Sequence, residues 1–200
     1  MINLLHLSDT HNLHRQLTNL PDADIVVHSG DFTMAGTENE VMDFVNWFCD
    51  LPYRYKIFIA GNHDACLYGA NVLGLDKNCY YLCNSGINIA GVNFYGIPMF
   101  VEDVIIGNDR LHFQSIPPET DVLITHQPPM GILDFDGIHY GSADLWKEMT
   151  QISPKFHLFG HIHSAGGIKT LCNTTFSNAV LVNDNYQLMP DLKYSVFRVC

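Results

Sequence analysis

Ile57-Phe58-Ile59-Ala60-Gly61-Asn62-His63-Asp64 is an apolar run that stops on a glycine and three polar side chains. A short β-branched and aromatic run bounded by Gly reads as a buried strand. Its polar end then lies at the strand's carboxyl end, where open α/β sheets build ligand sites. The pattern recurs along the chain. Leu4-Leu5-His6-Leu7-Ser8 runs into Asp9-Thr10-His11, Ile25-Val26-Val27-His28-Ser29 into Gly30-Asp31, Val122-Leu123-Ile124-Thr125 into His126, and Phe156-His157-Leu158-Phe159 into Gly160-His161-Ile162-His163. Strands that all end in Asp, Asn or His offer a convergent set of metal-ligand types.

The segments between these strands alternate in character. Residues 12–20 read as a short helix or turn stopped by Pro21. From Glu38 to Leu51, Val41, Phe44, Val45, Trp47 and Phe48 fall at mixed spacings of three and four, an amphipathic helix ended before Pro52. Strand, helix, strand, helix and strand in succession mark an α/β layered fold. Tyr80 to Tyr95 reads as short antiparallel strands joined by tight turns, and residues 99–119, with Pro117-Pro118, as a surface excursion. A helix from Ser142 to Gln151 and further strands near 168–182 and at Tyr194 to Val199 complete the pattern. The expectation is one domain spanning residues 1–200, with two β-sheets and helices on the outer faces.

At 200 residues a chain buries roughly 70% of the surface its unfolded form exposes, so the core needs neither disulfide nor structural zinc. Acidic residues outnumber Lys plus Arg by 21 to 10, for a formal charge of −11. That balance argues against binding nucleic acid through its phosphates, though not against a small phosphate ester. The cysteines at 49, 66, 79, 83, 172 and 200 form no CxxC pair and read as reduced, mostly buried thiols. With no signal-like N-terminus and no membrane-spanning apolar run, the expectation is a soluble, cytoplasmic protein.

Asp9, His11, Asp31, Asn62, His126, His161 and His163 supply carboxylate, carboxamide and imidazole donors. Such borderline ligands suit manganese, iron, zinc, cobalt or nickel better than calcium, and they are too many for one tetrahedral zinc. Two divalent ions sharing one bridging carboxylate fit the number. Two ions, two aspartates and a bridging hydroxide leave a net charge of about +1 for a phosphate oxygen to meet. A hydroxide held between such ions attacks phosphorus in line, so the chemistry is hydrolysis of a phosphate ester. His63, next to Asn62, points toward the substrate to bind a phosphate oxygen or protonate the leaving alcohol, and Asp64 is placed to orient it. An acid after a histidine at a strand end also serves as a turn former or helix cap. His6, His28 and His157 lie inside apolar strands and read as core or bracing groups, whereas His139, in the loop after His126, is a candidate to reach the pocket.

Asp9-x-His11, Gly30-Asp31, Gly61-Asn62-His63-Asp64, His126 and Gly160-His161-x-His163, in that order, resemble the signature of the calcineurin-like metallophosphoesterases. Gly30-Asp-Phe-Thr, Lys56-Ile-Phe-Ile-Ala-Gly-Asn-His, Thr120-Asp-Val-Leu-Ile-Thr-His and Thr175-Phe-Ser-Asn-Ala are similar to the small branch typified by the metallophosphoesterase-domain-containing brain and fetal proteins and their bacterial relatives. The resemblance implies a four-layer α-β-β-α sandwich. It implies one metal on Asp9, His11 and His163, the other on Asn62, His126 and His161, and Asp31 bridging them. It also implies a substrate-facing His63, with Asn62 beside it, and action on phosphodiesters including cyclic nucleotides, often with manganese. Gln127 departs from the glycine common in that branch. The rival readings are a phosphomonoesterase and a non-catalytic interaction module of the same fold; the intact ligand set argues against the latter.

Overall fold

In the computed structural model, which describes residues 2–192 and 194–199, the first apolar runs become parallel neighbours: β1 (Ile2–Leu7), β2 (Ile25–His28) and β3 (Tyr55–Phe58). A 3-10 turn at His14–Gln16 lies between β1 and β2, and α1 (Glu38–Asp50) between β2 and β3. A capping box starts α1: Thr37 Oγ1 accepts from the Glu40 amide at 3.3 Å, and the Glu40 carboxylate accepts from the Thr37 amide at 2.9 Å. The same carboxylate takes the Asn12 side-chain amide, tying the loop after β1 to the helix.

β4 (Cys79–Tyr81) departs from the expected antiparallel series and pairs in parallel with β3, Ile57 opposite Tyr80. The long connection through Asn62 to Asn78 supplies the crossover that parallel pairing needs. The antiparallel reading holds for β5 (Ser85–Ile89) and β6 (Val92–Ile97), joined at Ala90-Gly91 with φ of 51° and 87°. Positive φ at both central residues matches the twist of a two-residue hairpin. Residues 99–119 also differ from expectation. They form α2 (Val101–Ile106) and α3 (Asp109–Gln114), and Phe100, Phe113 and Ile116 are buried, so this segment contributes to the core while leaving Ile105 and Ile106 exposed.

The chain continues through β7 (Val122–Thr125), the small hairpin β8 (Phe135–Asp136) and β9 (Ile138–His139), α4 (Ala143–Ile152), β10 (Phe156–Phe159), β11 (Gly167–Leu171), β12 (Thr174–Asn178) and β13 (Ser195–Val199). One sheet has the order β13-β1-β2-β3-β4, the other β11-β12-β10-β7-β6-β5. Side-chain alternation assigns the layers. Leu4, Ile25, Val27, Ile57, Val122, Ile124 and Leu158 meet between the sheets. Leu5, Leu7, Val26 and Phe58 face Phe44 and Phe48 of α1, and Leu123, Phe159 and Phe176 face Phe113 of α3 and Leu145 and Met149 of α4. The architecture is therefore α-β-β-α, as the sequence predicted.

His6, His28 and His157 are fully buried. His6 bridges the layers, its ring nitrogens each 2.9 Å from the hydroxyls of Ser177 and Ser29. Burial pushes all three imidazoles down to about 3, so they are neutral at physiological pH. The thiols are less enclosed than expected: Cys79 is buried, Cys49 and Cys66 half-buried, Cys83 and Cys172 exposed, all five free, while Cys200 lies outside the described residues. Among the described residues, no helix is long and apolar enough to cross a membrane.

Candidate metal centre

After β1, β2 and β10 the chain delivers its polar residues by bending sharply where the pairing ends. Asp9, His11, Asp31 and His161 all have left-handed backbone, with φ of 53°, 40°, 56° and 75°. For side chains with a Cβ this costs about 1–3 kcal/mol each, the kind of strain that surrounding structure must hold in place. It is held by bonds between the loops. The Asp9 amide donates to Gly30 O at 3.0 Å, His11 to Asp31 O at 3.0 Å and Asn12 to Phe32 O at 2.9 Å. Gly30 has φ 103°, and a Cβ there would stand 2.7 Å from the Gly61 amide and from His126 Nδ1. At Gly160 a Cβ would collide with the Asp9 carboxylate and the Ser8 hydroxyl.

The seven residues expected to share a pocket do meet. His163 Nε2 is 3.5 Å from Asp9 Oδ1, and His11 Nε2 is 4.0 Å from Asp9 Oδ1 and 3.8 Å from Asp31 Oδ2. His126 Nε2 lies 3.2 Å from Asp31 Oδ2 and 3.1 Å from Asn62 Oδ1. Asp9, His11 and His163 form one group whose donor atoms are mutually within 4.8 Å, and Asp31, His126 and His161 form another. Asp31 also groups with His11 and His63, which puts its carboxylate between the two halves.

Backbone carbonyls set the tautomers. The Nδ1 of His11, His63, His126 and His163 faces Thr33 O at 3.1 Å, Met34 O at 2.8 Å, Ser29 O at 2.9 Å and Asn183 O at 3.2 Å respectively. Each Nδ1–H therefore donates outward, which leaves each Nε2 to face the cluster. The Asp9 carboxylate accepts the His161 amide, and Asp31 Oδ1 accepts the His63 amide at 2.8 Å.

Asp64 does not orient His63. Its carboxylate is fully buried and accepts the amides of Asp31 and Gly61 at 2.9 and 2.8 Å on one oxygen, and the amide and hydroxyl of Thr33 at 2.9 and 2.8 Å on the other. It clamps the loops after β2 and β3 together, and Met34 O takes the orienting position on His63. His139 also departs from its expected place: its Nδ1 pairs with Asp134 Oδ1 at 2.7 Å, and its loop reaches the cleft through Asp136 and Tyr140 instead. Gln127 borders a separate small pocket beside Phe100 and Phe113.

The cleft over the cluster has a volume of about 340 Å³. Sequence reasoning missed Tyr186, whose ring stands 4.8 Å from that of His11, 5.4 Å from His163 and 5.8 Å from His63. It belongs to an Asn-rich turn at residues 183–187 that carries no motif; what places it is the Asn183 carbonyl reaching back to His163.

Charge in the site is concentrated and enclosed. Asp9, Asp31 and Asp64 are all at most 2% exposed, and the ion-pair partners of Asp9 and Asp31 are histidines. Burial opposes ionisation of Asp9 and Asp31, but the hydrogen-bonded and nearby imidazoles of His163, His126 and His11 outweigh it and hold both below the usual carboxylate range. Burial and the neighbouring Asp31 push Asp64 up, against the pull of its donors from Gly61 and Thr33. For His126, burial is overcome by Asp31 and the imidazole rises to about 9; His161, buried beside His126, falls to about 4. The ion-pair partners of Asp9 and Asp31 are imidazoles, which are themselves metal ligands, so a cation entering the cluster can take the place of their protons. His11 Nε2, buried and without a hydrogen-bond partner, aims into the cluster, which is how a ligand atom looks before its ion is added. The donors therefore fit divalent metal, and the Asp and His clusters could bind such ions.

Residues 2–165 match the family model described as calcineurin-like phosphoesterase. A UPF0046 protein of Caenorhabditis elegans is 39% identical over 206 residues, spanning 88% of this chain and 73% of that protein. Metallophosphoesterase domain-containing protein 1 of Homo sapiens is 32% identical, spanning 90% of this chain and 66% of that protein. Among solved structures, TT1561 of Thermus thermophilus superposes with a TM-score of 0.63 at 12% identity, covering 88% of each chain, and the phosphopantetheinyl hydrolase of Mycobacterium tuberculosis with 0.57 at 13%, covering 92% of this chain and 90% of that one. At such identities these structures show the fold alone.

Proposed function

We propose that this chain, which belongs to the calcineurin-like phosphoesterase family, is a phosphodiesterase for small diesters that works with two divalent cations, manganese foremost. The observation that carries the reading is the meeting of four outward-tethered imidazoles with the carboxylates of Asp9 and Asp31 in one pocket. Asp9, His11 and His163 would hold one cation, Asn62, His126 and His161 the other, and Asp31 both. Bound there, the cations would supply Lewis acidity and a water acidified to ionise near neutral pH.

The chain's own groups do the rest. The strained loops fix the donors before any ligand arrives, so little reorganisation is left for the reaction. His63, tethered at Nδ1, keeps Nε2 for the substrate; as imidazolium it donates to a phosphate oxygen or to the leaving alkoxide. The Asn62 amide can donate to a second phosphate oxygen.

A diester is preferred over a monoester because of charge. The cleft is lined by no Lys or Arg among the described residues, and Asp136 and Asp184 add negative charge to its wall. A diester brings one negative charge to that wall and a monoester brings close to two. Its volume lies at the lower end of the range for ligand sites, roughly 300–1,000 Å³, so the substrate is a small one, cyclic nucleotides included. The free cysteines support a reducing compartment, and we place the protein in the cytoplasm.

The test compares bis-p-nitrophenyl phosphate with p-nitrophenyl phosphate and cyclic nucleotides in the presence of manganese, with and without chelator, in the natural chain and in Asp31→Ala and Asn62→Ala. Diester turnover that vanishes with chelator and in both variants is expected. Activity that survives all three removes the reading, and faster monoester turnover removes the diester preference.

A further inference from the structure

Outside the metal cluster, the cleft is completed by Asp136, Tyr140, Ile162, Asp184 and Tyr186. Two separate loops thus each contribute one carboxylate and one phenol ring. Both acids are exposed, and among the described residues neither forms an ion pair, so their fields are not cancelled locally.

Both loops are built to hold position. The hairpin carrying Asp136 and Tyr140 is closed at its base by Asp134, whose carboxylate accepts the amides of Gly131 at 2.9 Å and Gly141 at 3.0 Å and pairs with His139. The turn carrying Asp184 and Tyr186 is closed by Asn183, whose side-chain oxygen accepts the amides of Asn185 at 3.0 Å and Gln187 at 3.1 Å. Tyr186 itself is held at φ 56°, its ring against His11, His63 and His163. The organic half of any ester whose phosphate reaches His63 and Asn62 therefore enters a wall of two rings and two carboxylates.

We infer that this wall selects phosphodiesters by the charge of their organic half: it takes esters of a cationic alcohol, an amino or quaternary ammonium alcohol, and rejects esters that carry a further phosphate. The inference rests on the phosphodiesterase reading above. A ring face attracts an ammonium through its quadrupole, and an exposed carboxylate attracts it through a field that salt screens. Each is modest alone, but together they give a preference of roughly threefold to tenfold over a neutral group.

Three diesters with one leaving group test this with manganese present: p-nitrophenyl phosphorylcholine, bis-p-nitrophenyl phosphate and thymidine 3′-phosphate 5′-(p-nitrophenyl phosphate). Because p-nitrophenolate leaves in all three, differences report the retained half. The expected order of kcat/KM is choline, then neutral, then phosphate-bearing, expressed in KM and compressed at high salt. Asp136→Asn with Asp184→Asn should collapse the choline-to-phosphate ratio, and Tyr140→Leu and Tyr186→Leu should raise KM for the choline ester. Calorimetric binding of phosphocholine and of inorganic phosphate gives a readout without turnover: phosphocholine should bind several-fold tighter, and the two Asp→Asn changes should remove the difference. Turnover with equal or reversed order, unaltered by salt, overturns the charge selection and leaves the phosphodiesterase standing. Failure of all three esters overturns the phosphodiesterase, and this inference with it.

Discussion

Replacing Asp64 by Asn separates two roles that the sequence leaves entangled, orienting His63 or clamping loops. One Asp64 oxygen takes the Asp31 and Gly61 amides, and the other takes the Thr33 amide and hydroxyl, at 2.8–2.9 Å throughout. An Asn side chain keeps one of these oxygens and turns an NH2 group against the two donors that faced the other. The Thr33 hydroxyl can turn to His63 O, 2.8 Å away, and accept from the new NH2, which leaves the Thr33 amide as the donor without a partner. Removing a charge that burial and Asp31 oppose offsets part of that loss, so a destabilisation of about 2 kcal/mol is expected. For a chain of this size that corresponds to a fall in Tm of roughly 4–8 °C. Because Thr33 lies on the same loop as Asp31, two residues on, loosening it disturbs the loop that carries the ligand, and manganese affinity should drop as well, by about 10- to 100-fold, the usual effect of removing a group that braces a ligand. Thermal melts followed by circular dichroism, with and without manganese, and calorimetric manganese titration measure both. If Asp64→Asn melts with the natural protein and binds manganese equally well but loses turnover, the clamp reasoning is wrong and Asp64 acts through His63 after all.

Gly160→Ala places a methyl group against the Asp9 carboxylate and the Ser8 hydroxyl; manganese should no longer raise its Tm, and a manganese-dependent rise equal to that of the natural chain would contradict the crowding. His63→Ala should lower kcat by about 10²- to 10⁴-fold, as removal of a general acid does, while manganese titration remains that of the natural chain; lost manganese binding would instead make His63 a ligand. Glu40 is a pH marker for the loop after β1. Its small burial opposes ionisation, but donors from Thr37, Asn12 and Ala35 prevail and lower its carboxyl from 4.5 to about 2. A depressed carboxyl contributes stability above its unfolded value and loses it as pH falls through the folded one. Glu40→Gln should therefore be less stable than the natural chain above pH 4.5, with the gap closing toward pH 2; a Tm difference that widens on acidification would contradict this.

The architecture was legible because burial on both faces writes itself into the chain as continuous apolar runs. β1, β2, β3, β7 and β10 all fall where such runs stand, and their polar ends converge. What stayed hidden was decided by tertiary contact. Tyr80-Tyr81 have the same local pattern whether they pair with β3 or with β5, and only the crossover from Asn62 settles it. α2 and α3 are short and have weak periodicity, and Phe113 becomes core only because α4 packs beside it. Asp64 illustrates the same limit within the site. Its position after His63 predicts adjacency in sequence, yet alternate residues at a tight turn point in different directions, and its carboxylate points back toward β2.

Tyr186 was hidden for another reason. Its turn is specified by Asn183, and the ring is aimed at His11 and His163 by a left-handed residue in a segment without apolar periodicity. The same left-handed conformation recurs at Asp9, His11, Asp31 and His161, so the outer wall of the cleft is built by the device that builds the metal cluster. In the metal cluster the strained residue is held by hydrogen bonds to a neighbouring loop, whereas Tyr186 is held within its own turn, its amide donating to Asn183 O at 2.9 Å. Loops fixed in this way can change the identity of a wall residue without disturbing the strands beneath. The metal cluster is tied to the sheet edges through Gly30, Gly61 and Gly160, where a Cβ has no room. The cleft wall shares this restriction at its base, where a Cβ on Gly141 would collide with Pro129 and the Asp134 carboxylate, but Asp136, Tyr140, Asp184 and Tyr186 themselves are exposed. Chemistry is thus anchored on enclosed side chains at the sheet edges, and substrate selection sits on exposed ones above them.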